Sequence, residues 1–240
     1  MITNGQSIIR YLVTVLLVAG VNVQARPLTE SLGGTHEPLI TRSTFRDDFA
    51  TFDTDTWSCE YTCPVIEAGK ARFRLKSGVK PDNYGSWSKA RYKPRRFTSG
   101  RFTASFSLTQ RPKKAVWWGV ALWDDGKAGK FNEINFGYTT DQSYTNTQLR
   151  FESARKGKAV SLKVDTGVNL YDGKYHTATL EYNSKRVALY LDGKFLKKIT
   201  DRKFIPTAPM DFLLGPRLIT GEQPLKKGFT ESINWVEISA

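Results

Sequence analysis

Apolar and polar residues alternate from one end of this chain to the other, and that pattern most limits what it can fold into. Ala71-Arg72-Phe73-Arg74-Leu75, Arg101 to Leu108, Ala159 to Val164, Tyr175 to Tyr182 and Ser232 to Ile238 all carry the two-residue period of a strand with one buried face. Leu191-Asp192-Gly193-Lys194 sets an Asp-Gly turn between two such runs, the mark of a tight hairpin. After the first 25 residues no window carries the 3.6-residue apolar stripe of an amphipathic helix. Many short strands with turn signals between them give a sandwich or a barrel, and residues 44–240 suffice for one large antiparallel sandwich.

The first residues read differently. Arg10 supplies a positive start, Tyr11 to Val21 an apolar run too short for a comfortable membrane span, and Val23-Gln24-Ala25 a small-residue cleavage site. Residues 1–25 are therefore expected to be a secretory signal peptide, and the mature protein to be secreted, extracellular or in the cell wall, with no membrane contact once the signal is removed. Residues 26–43, polar and containing Pro, Gly, Thr and Ser, read as a linker or propeptide. Secretion gives the two cysteines a meaning. Cys59 and Cys63 are close in sequence, no histidine accompanies them, and a local disulfide follows better than a metal site.

The formal charge is +13 and falls by the single unit of Arg10 to +12 when the signal is removed. Dibasic and tribasic clusters are scattered along the chain, among them Arg95-Arg96, Lys113-Lys114, Lys197-Lys198 and Lys226-Lys227. Inside a cell such a balance would suggest nucleic acid. Outside it, the partners are anionic polysaccharide, cell wall or membrane surface. A polysaccharide partner is expected here, either a β-glucan or an anionic glycan, with no nucleic acid, no cofactor and no metal; the sequence leaves the oligomeric state open.

Chemistry concentrates in Phe131-Asn132-Glu133-Ile134-Asn135-Phe136-Gly137-Tyr138. Strand alternation puts Glu133, Asn135 and Gly137 on one face. Upstream, Trp117-Trp118-Gly119-Val120-Ala121-Leu122-Trp123 supplies flat aromatic faces of the kind that pyranose rings stack on. Alternation pairs Trp117 with Trp123 and sets Trp118 on the opposite face. His176 reads as a structural histidine, and Asp124-Asp125-Gly126 as a turn.

Several segments in the same order resemble glycoside hydrolase family 16, the laminarinase, lichenase and transglucosylase group. They are Phe45-Arg46-Asp47-Asp48-Phe49 with Asp55-Thr56-Trp57, Phe97 to Phe102, the tryptophan-rich stretch, Tyr175-His176-Thr177 with Leu180-Glu181-Tyr182, Leu189-Tyr190-Leu191-Asp192-Gly193-Lys194, and Ile205-Pro206 to Leu214. The resemblance implies an all-β antiparallel β-jelly-roll sandwich of the concanavalin A-like lectin/glucanase kind over residues 44–240, with a glycan-binding concave sheet. It also assigns roles. The family's catalytic strand reads Glu-x-Asp-x-Glu, or Glu-x-Asp-x-x-Glu with a bulge. Glu133 falls on the nucleophile, Asn135 on the assisting Asp, and the acid/base on Gly137, or on Tyr138 if the strand is bulged. Ser105 stands where the family commonly has an Arg.

The catalytic pattern is thus degenerate. A general acid contributes roughly 10²–10⁴-fold, and neither a glycine nor a tyrosine of ordinary pKa replaces a carboxylic acid. The expectation is a polysaccharide-binding protein that uses Trp123, Trp118, Asn135 and Tyr138, with Glu133 as a nucleophile-position residue of doubtful activity. The alternative is an active hydrolase or transglycosylase acting on O-glycosyl bonds, with Glu133 as nucleophile and Glu152 or Asp141 as the replacement acid/base.

Overall fold

The computed structural model describes residues 44–138 and 143–240; the expected signal peptide (1–25), the expected linker (26–43) and Asp141 lie outside them. The described residues form seventeen strands and no α-helix. In chain order these are β1 Thr44–Asp47, β2 Trp57–Tyr61, β3 Val65–Ile66, β4 Ala71–Leu75, β5 Ser88–Tyr92 and β6 Gly100–Leu108. There follow β7 Val116–Trp117, β8 Val120–Asp124, β9 Asn132–Tyr138, β10 Gln148–Arg155, β11 Lys158–Asp165 and β12 His176–Asn183. The last are β13 Arg186–Leu191, β14 Lys194–Ile199, β15 Asp211–Leu214, β16 Arg217–Leu218 and β17 Phe229–Ser239.

The strands build two large antiparallel sheets. One runs β14-β13-β12-β6-β17-β4-β3, with β1 also paired to β17. The other runs β11-β10-β9-β8-β15-β5-β2, and a separate two-stranded ribbon joins β16 to β7. The sequence period decides which side chains meet between the sheets. Phe102, Ala104, Phe106 and Leu108 of β6 face Leu122 of β8, Ile134 and Phe136 of β9 and Phe212 of β15, all buried in one core. Aromatic pairs cross between the sheets: Phe102 stacks on Phe212 at 5.5 Å, and Phe106 meets Trp118 at 5.5 Å and Phe136 at 6.2 Å. The expected all-β jelly-roll sandwich is the fold observed.

Two features of this frame bear on the site. The core holds a carboxyl group, Glu231, which lies opposite Phe73 and Leu108 in the sheet and is fully buried. Burial pushes its pKa up to about 8, with the Gly119 backbone N–H offsetting part of the effect. The second feature is the disulfide. Cys59 and Cys63, with Cα atoms 5.2 Å apart, close a loop at the end of β2. Inside that loop Tyr61 is held at φ 63°, in the left-handed region that side chains rarely adopt.

Candidate active groove

The outer face of the seven-stranded sheet carries a groove of about 330 Å³. Its floor follows from register. Asp211, Trp123, Glu133 and Ala154 lie in one row across β15, β8, β9 and β10. Leu213, Ala121, Asn135 and Glu152 form the adjacent row. Alternation then projects all eight outward, while Leu122, Ile134, Phe136 and Phe212 point into the core.

Aromatic rings form the walls. Trp123 lies opposite Glu133, stacks on Phe131 at 5.3 Å with an interplanar angle of 16°, and donates its indole N–H to Asp125 at 2.5 Å. Trp117 packs with Ala121, Leu213, Trp123 and Ile219 and lines the groove. Trp118 does not. It is fully buried between the sheets against Phe106, Phe136 and Tyr171, so the expectation that it meets a ligand is corrected: of the adjacent pair, Trp117 has the groove face. At the other wall the exposed Tyr61 stacks on Trp87 at 4.9 Å, so the disulfide loop presents an aromatic platform. The Lys89 ammonium and the Arg217 guanidinium each lie 4.2 Å from the Trp87 ring centroid.

The cations of the groove are neutralised. Lys89 bonds Glu60 at 2.5 Å, Arg91 bonds Glu60 at 2.6 Å and approaches Asp211 at 3.7 Å, and Arg217 bonds Asp82 at 3.0 Å. Lys89 is almost fully buried, and that burial lowers its pKa, with Glu60 acting the other way. Asp124, expected in a turn, is instead the last residue of β8, and it binds Arg96 at 2.6 Å and Asn132 at 2.9 Å. Among the described residues, no three His, Cys, Asp or Glu side chains cluster as metal ligands would.

Glu133 sits on the groove floor. Burial first, then the neighbouring Glu152 charge, push its pKa up to about 7, against the opposing hydrogen bond from Asn135. Asn135 itself is completely buried. Its amide Nδ2 donates to Glu133 Oε1 at 2.5 Å and reaches Glu152 Oε2 at 3.4 Å. Asn135 therefore does not touch a ligand directly; it is a clamp beneath Glu133. An amide suits this place because it can donate toward two carboxylates, whereas an Asp there would add a third negative charge. Glu152 also lies 3.4 Å from Arg150.

Register fixes the next positions of β9. Phe136 pairs with Phe151 and Tyr138 with Arg150, so Gly137 is the extra residue of a β-bulge. The strand is thus of the bulged type, with Tyr138 rather than Gly137 in register two places beyond Asn135. Gly137 has φ +102°, and a Cβ on it would lie 2.1 Å from the Trp118 carbonyl oxygen. Position 137 has no room for any side chain. Ser105 lies in the other sheet, paired with Thr177, and has no part in the groove. His176 pairs with Phe106 in that same sheet, and its ring Nδ1 lies 2.8 Å from the Asp192 carboxylate.

The groove residues Tyr61, Trp87, Lys89 and Arg217 were not singled out in the sequence. Trp87-Ser88-Lys89 has the alternation that sets Trp87 and Lys89 on one face. Nothing local says which face, or that Arg217 joins them from 130 residues further on.

No protein-family model matches the sequence, and no curated protein matches it. Solved structures match the fold well. A prokaryotic β-1,3-1,4-glucanase (lichenase) derived from a mouse hindgut metagenome superposes with a TM-score of 0.65 at 13% identity, over 82% of this chain and 99% of that one. The fold is that of the glucanase jelly rolls. The Bacillus licheniformis β-glucanase matches with a TM-score of 0.63 at 14% identity, over 83% and 99% of the two chains. The κ-carrageenase from Pseudoalteromonas carrageenovora, in complex with an oligotetrasaccharide of κ-carrageenan, matches with a TM-score of 0.59 at 12% identity, over 85% and 98%.

Proposed function

We propose that this protein is a secreted polysaccharide-binding protein, which holds a β-glycan in the outer groove of its glucanase-like jelly roll and does not cleave it by the two-carboxylate mechanism of such folds. The observation that carries this reading is the state of β9. Its one carboxylate, Glu133, is followed by a fully buried Asn135, and the position in register two places further on is Tyr138, which carries no carboxyl group. Trp123, Trp117 and the Tyr61–Trp87 stack offer apolar faces to sugar rings, and the charges beside them are internally paired, so ring stacking leads recognition there. Relatives by fold that act on β-glucans and κ-carrageenan support a glycan partner in general. The Cys59–Cys63 disulfide supports an oxidising, extracellular location.

The test is to incubate the purified protein with soluble β-1,3-glucan and mixed-linkage glucan and follow both retention and chain length. Retained, unshortened glycan, with retention lost in Trp123→Ala, is expected. Shortened chains that persist in wild type and vanish in Glu133→Gln would sink the binding-only reading.

One observation favours a second reading. Asn135 Nδ2 bridges Glu133 and Glu152, which leaves the bonded carboxylate oxygens no more than about 6 Å apart, close to the spacing of about 5–5.5 Å in retaining glycosidases. Glu133, with its pKa raised to about 7, would then be the proton donor and Glu152 the nucleophile, the reverse of the roles that the resemblance implies. Equal loss of cleavage in Glu133→Gln and Glu152→Gln is what this reading requires.

A further inference from the structure

Two loops far apart in the sequence meet at one end of the sandwich. The β6–β7 loop brings Arg111, Lys113 and Lys114; the β16–β17 loop brings Lys226 and Lys227. All five line a single cavity of about 600 Å³. Among the described residues, Lys114 lies 3.9 Å from Glu222, a weak contact. The cavity has an apolar floor of buried Leu225 and Phe229.

The frame is rigid although the lysines are solvated. The Gln110 side chain donates to the Gly228 carbonyl, tying one loop to the other. The Gly78 N–H bonds the Leu225 carbonyl at 2.9 Å. A Cβ at Gly228 would lie 2.8 Å from the Leu75 carbonyl oxygen, so this backbone lies hard against β4. A rigid frame that holds like charges together costs stability in the free protein and returns it when an anion arrives.

We infer that this cavity is a binding site for the acidic groups of a polysaccharide, carboxylate or sulfate, whose chain continues into the aromatic groove. This deepens the glycan-binding reading and rests on it. The β7–β16 ribbon connects the two places. The Ile219 N–H bonds the Ala115 carbonyl at 3.0 Å, and Trp117 pairs with Arg217. Lys114 lies three residues before the groove residue Trp117 of this ribbon, so their Cα atoms are at most about 10 Å apart. A single glycan can therefore lay sugar faces on Trp117 and Trp123 while its anions reach the lysines. A chain that carries anions and sugar rings together satisfies both surfaces; a nucleic acid would use only the first.

The test compares wild type with a variant in which Lys113, Lys114, Lys226 and Lys227 are all Gln. Binding is measured for polygalacturonate (carboxylate), dextran sulfate (sulfate), neutral β-1,3-glucan and single-stranded DNA. The variant is expected to lose tenfold or more affinity for one or both acidic glycans, while neutral glucan binding and Tm stay at the wild-type level. Which acidic glycan suffers identifies the anion. Acidic-glycan affinity unchanged in the variant would overturn the proposal. So would DNA that binds wild type as tightly as the acidic glycans at the same salt, because the cavity would then be an unselective basic patch. Loss of groove function reads out separately: Trp123→Ala with undiminished neutral glucan binding refutes the groove reading and leaves the lysine result standing.

Discussion

The groove and the basic cavity lie at either end of the segment that runs from Lys113 through β7, and they treat charge in opposite ways. In the groove, Lys89, Arg91 and Arg217 are each held by a carboxylate from Glu60, Asp211 or Asp82. In the cavity, Lys113, Lys114, Lys226 and Lys227 are gathered together, and among the described residues Lys114 lies 3.9 Å from Glu222. Paired, half-buried charges act as scaffolding: they fix Trp87 and the aromatic wall and leave little net field. Gathered, solvated charges leave a field and no fixed geometry. Shape and ring stacking should therefore govern recognition in the groove, and ionic strength should govern it in the cavity.

The strongest way to break the groove is through its backbone. Gly137→Glu is expected to cost on the order of 4 kcal/mol or more, because its Cβ meets the Trp118 carbonyl. Thermal unfolding beside the four-lysine variant, which should melt like wild type, checks this. A Gly137→Glu protein that folds normally would contradict the account of β9.

The core carboxyl comes next. Glu231 has its pKa raised from 4.5 to about 8. Below pH 4.5 it is protonated both folded and unfolded, so it costs nothing for ionisation. As pH rises toward 8 the unfolded chain gives up the proton first, and stability falls across that window before levelling off. Glu133, raised to about 7, adds a smaller fall of the same sign. Glu231→Gln should stabilise the protein at pH 9 by on the order of 3 kcal/mol relative to its effect at pH 4.5, where little change is expected. Denaturant melts at the two pH values decide it, and an equal effect at both would show that Glu231 is ionised in the fold.

Smaller effects separate the two surfaces as ligand sites. Trp123→Ala should weaken neutral glucan binding by about tenfold, the value of one lost aromatic face. Raising salt from about 50 to 500 mM should leave neutral glucan binding within a factor of about two, while acidic glycan binding weakens several-fold, since the Debye length falls well below 10 Å. Equal salt sensitivity for both ligands would erase the distinction between groove and cavity.

Much of the fold was legible in the sequence because the strand period is local: each run of alternating residues names its own buried face. Alternation likewise put Glu133 with Asn135 and Trp117 with Trp123 without saying which face was outward, and two cysteines with three residues between them had one way to pair with each other. The choice between Trp117 and Trp118 was not readable in that way. Both are apolar, and a sandwich has an interior face and an aromatic-lined outer face that the sequence writes alike. Asn135 looked like a ligand contact because register sets it beside Glu133; its burial came from β8 and β10 on either side.

The sequence by itself determined the strands, their inward faces, the hairpin at Asp192-Gly193 and the single carboxylate at Glu133, since each depends on neighbours within a few residues. Only the tertiary structure decided that Trp87, Lys89 and Arg217 share one wall, that Glu152 faces Asn135, that Gly137 can carry no side chain, and that Lys113-Lys114 and Lys226-Lys227 form one cavity. The physical reason is that these contacts are set by sheet register and loop closure between distant segments, and the free energy that fixes register comes from burial of the whole core rather than from the residues that meet.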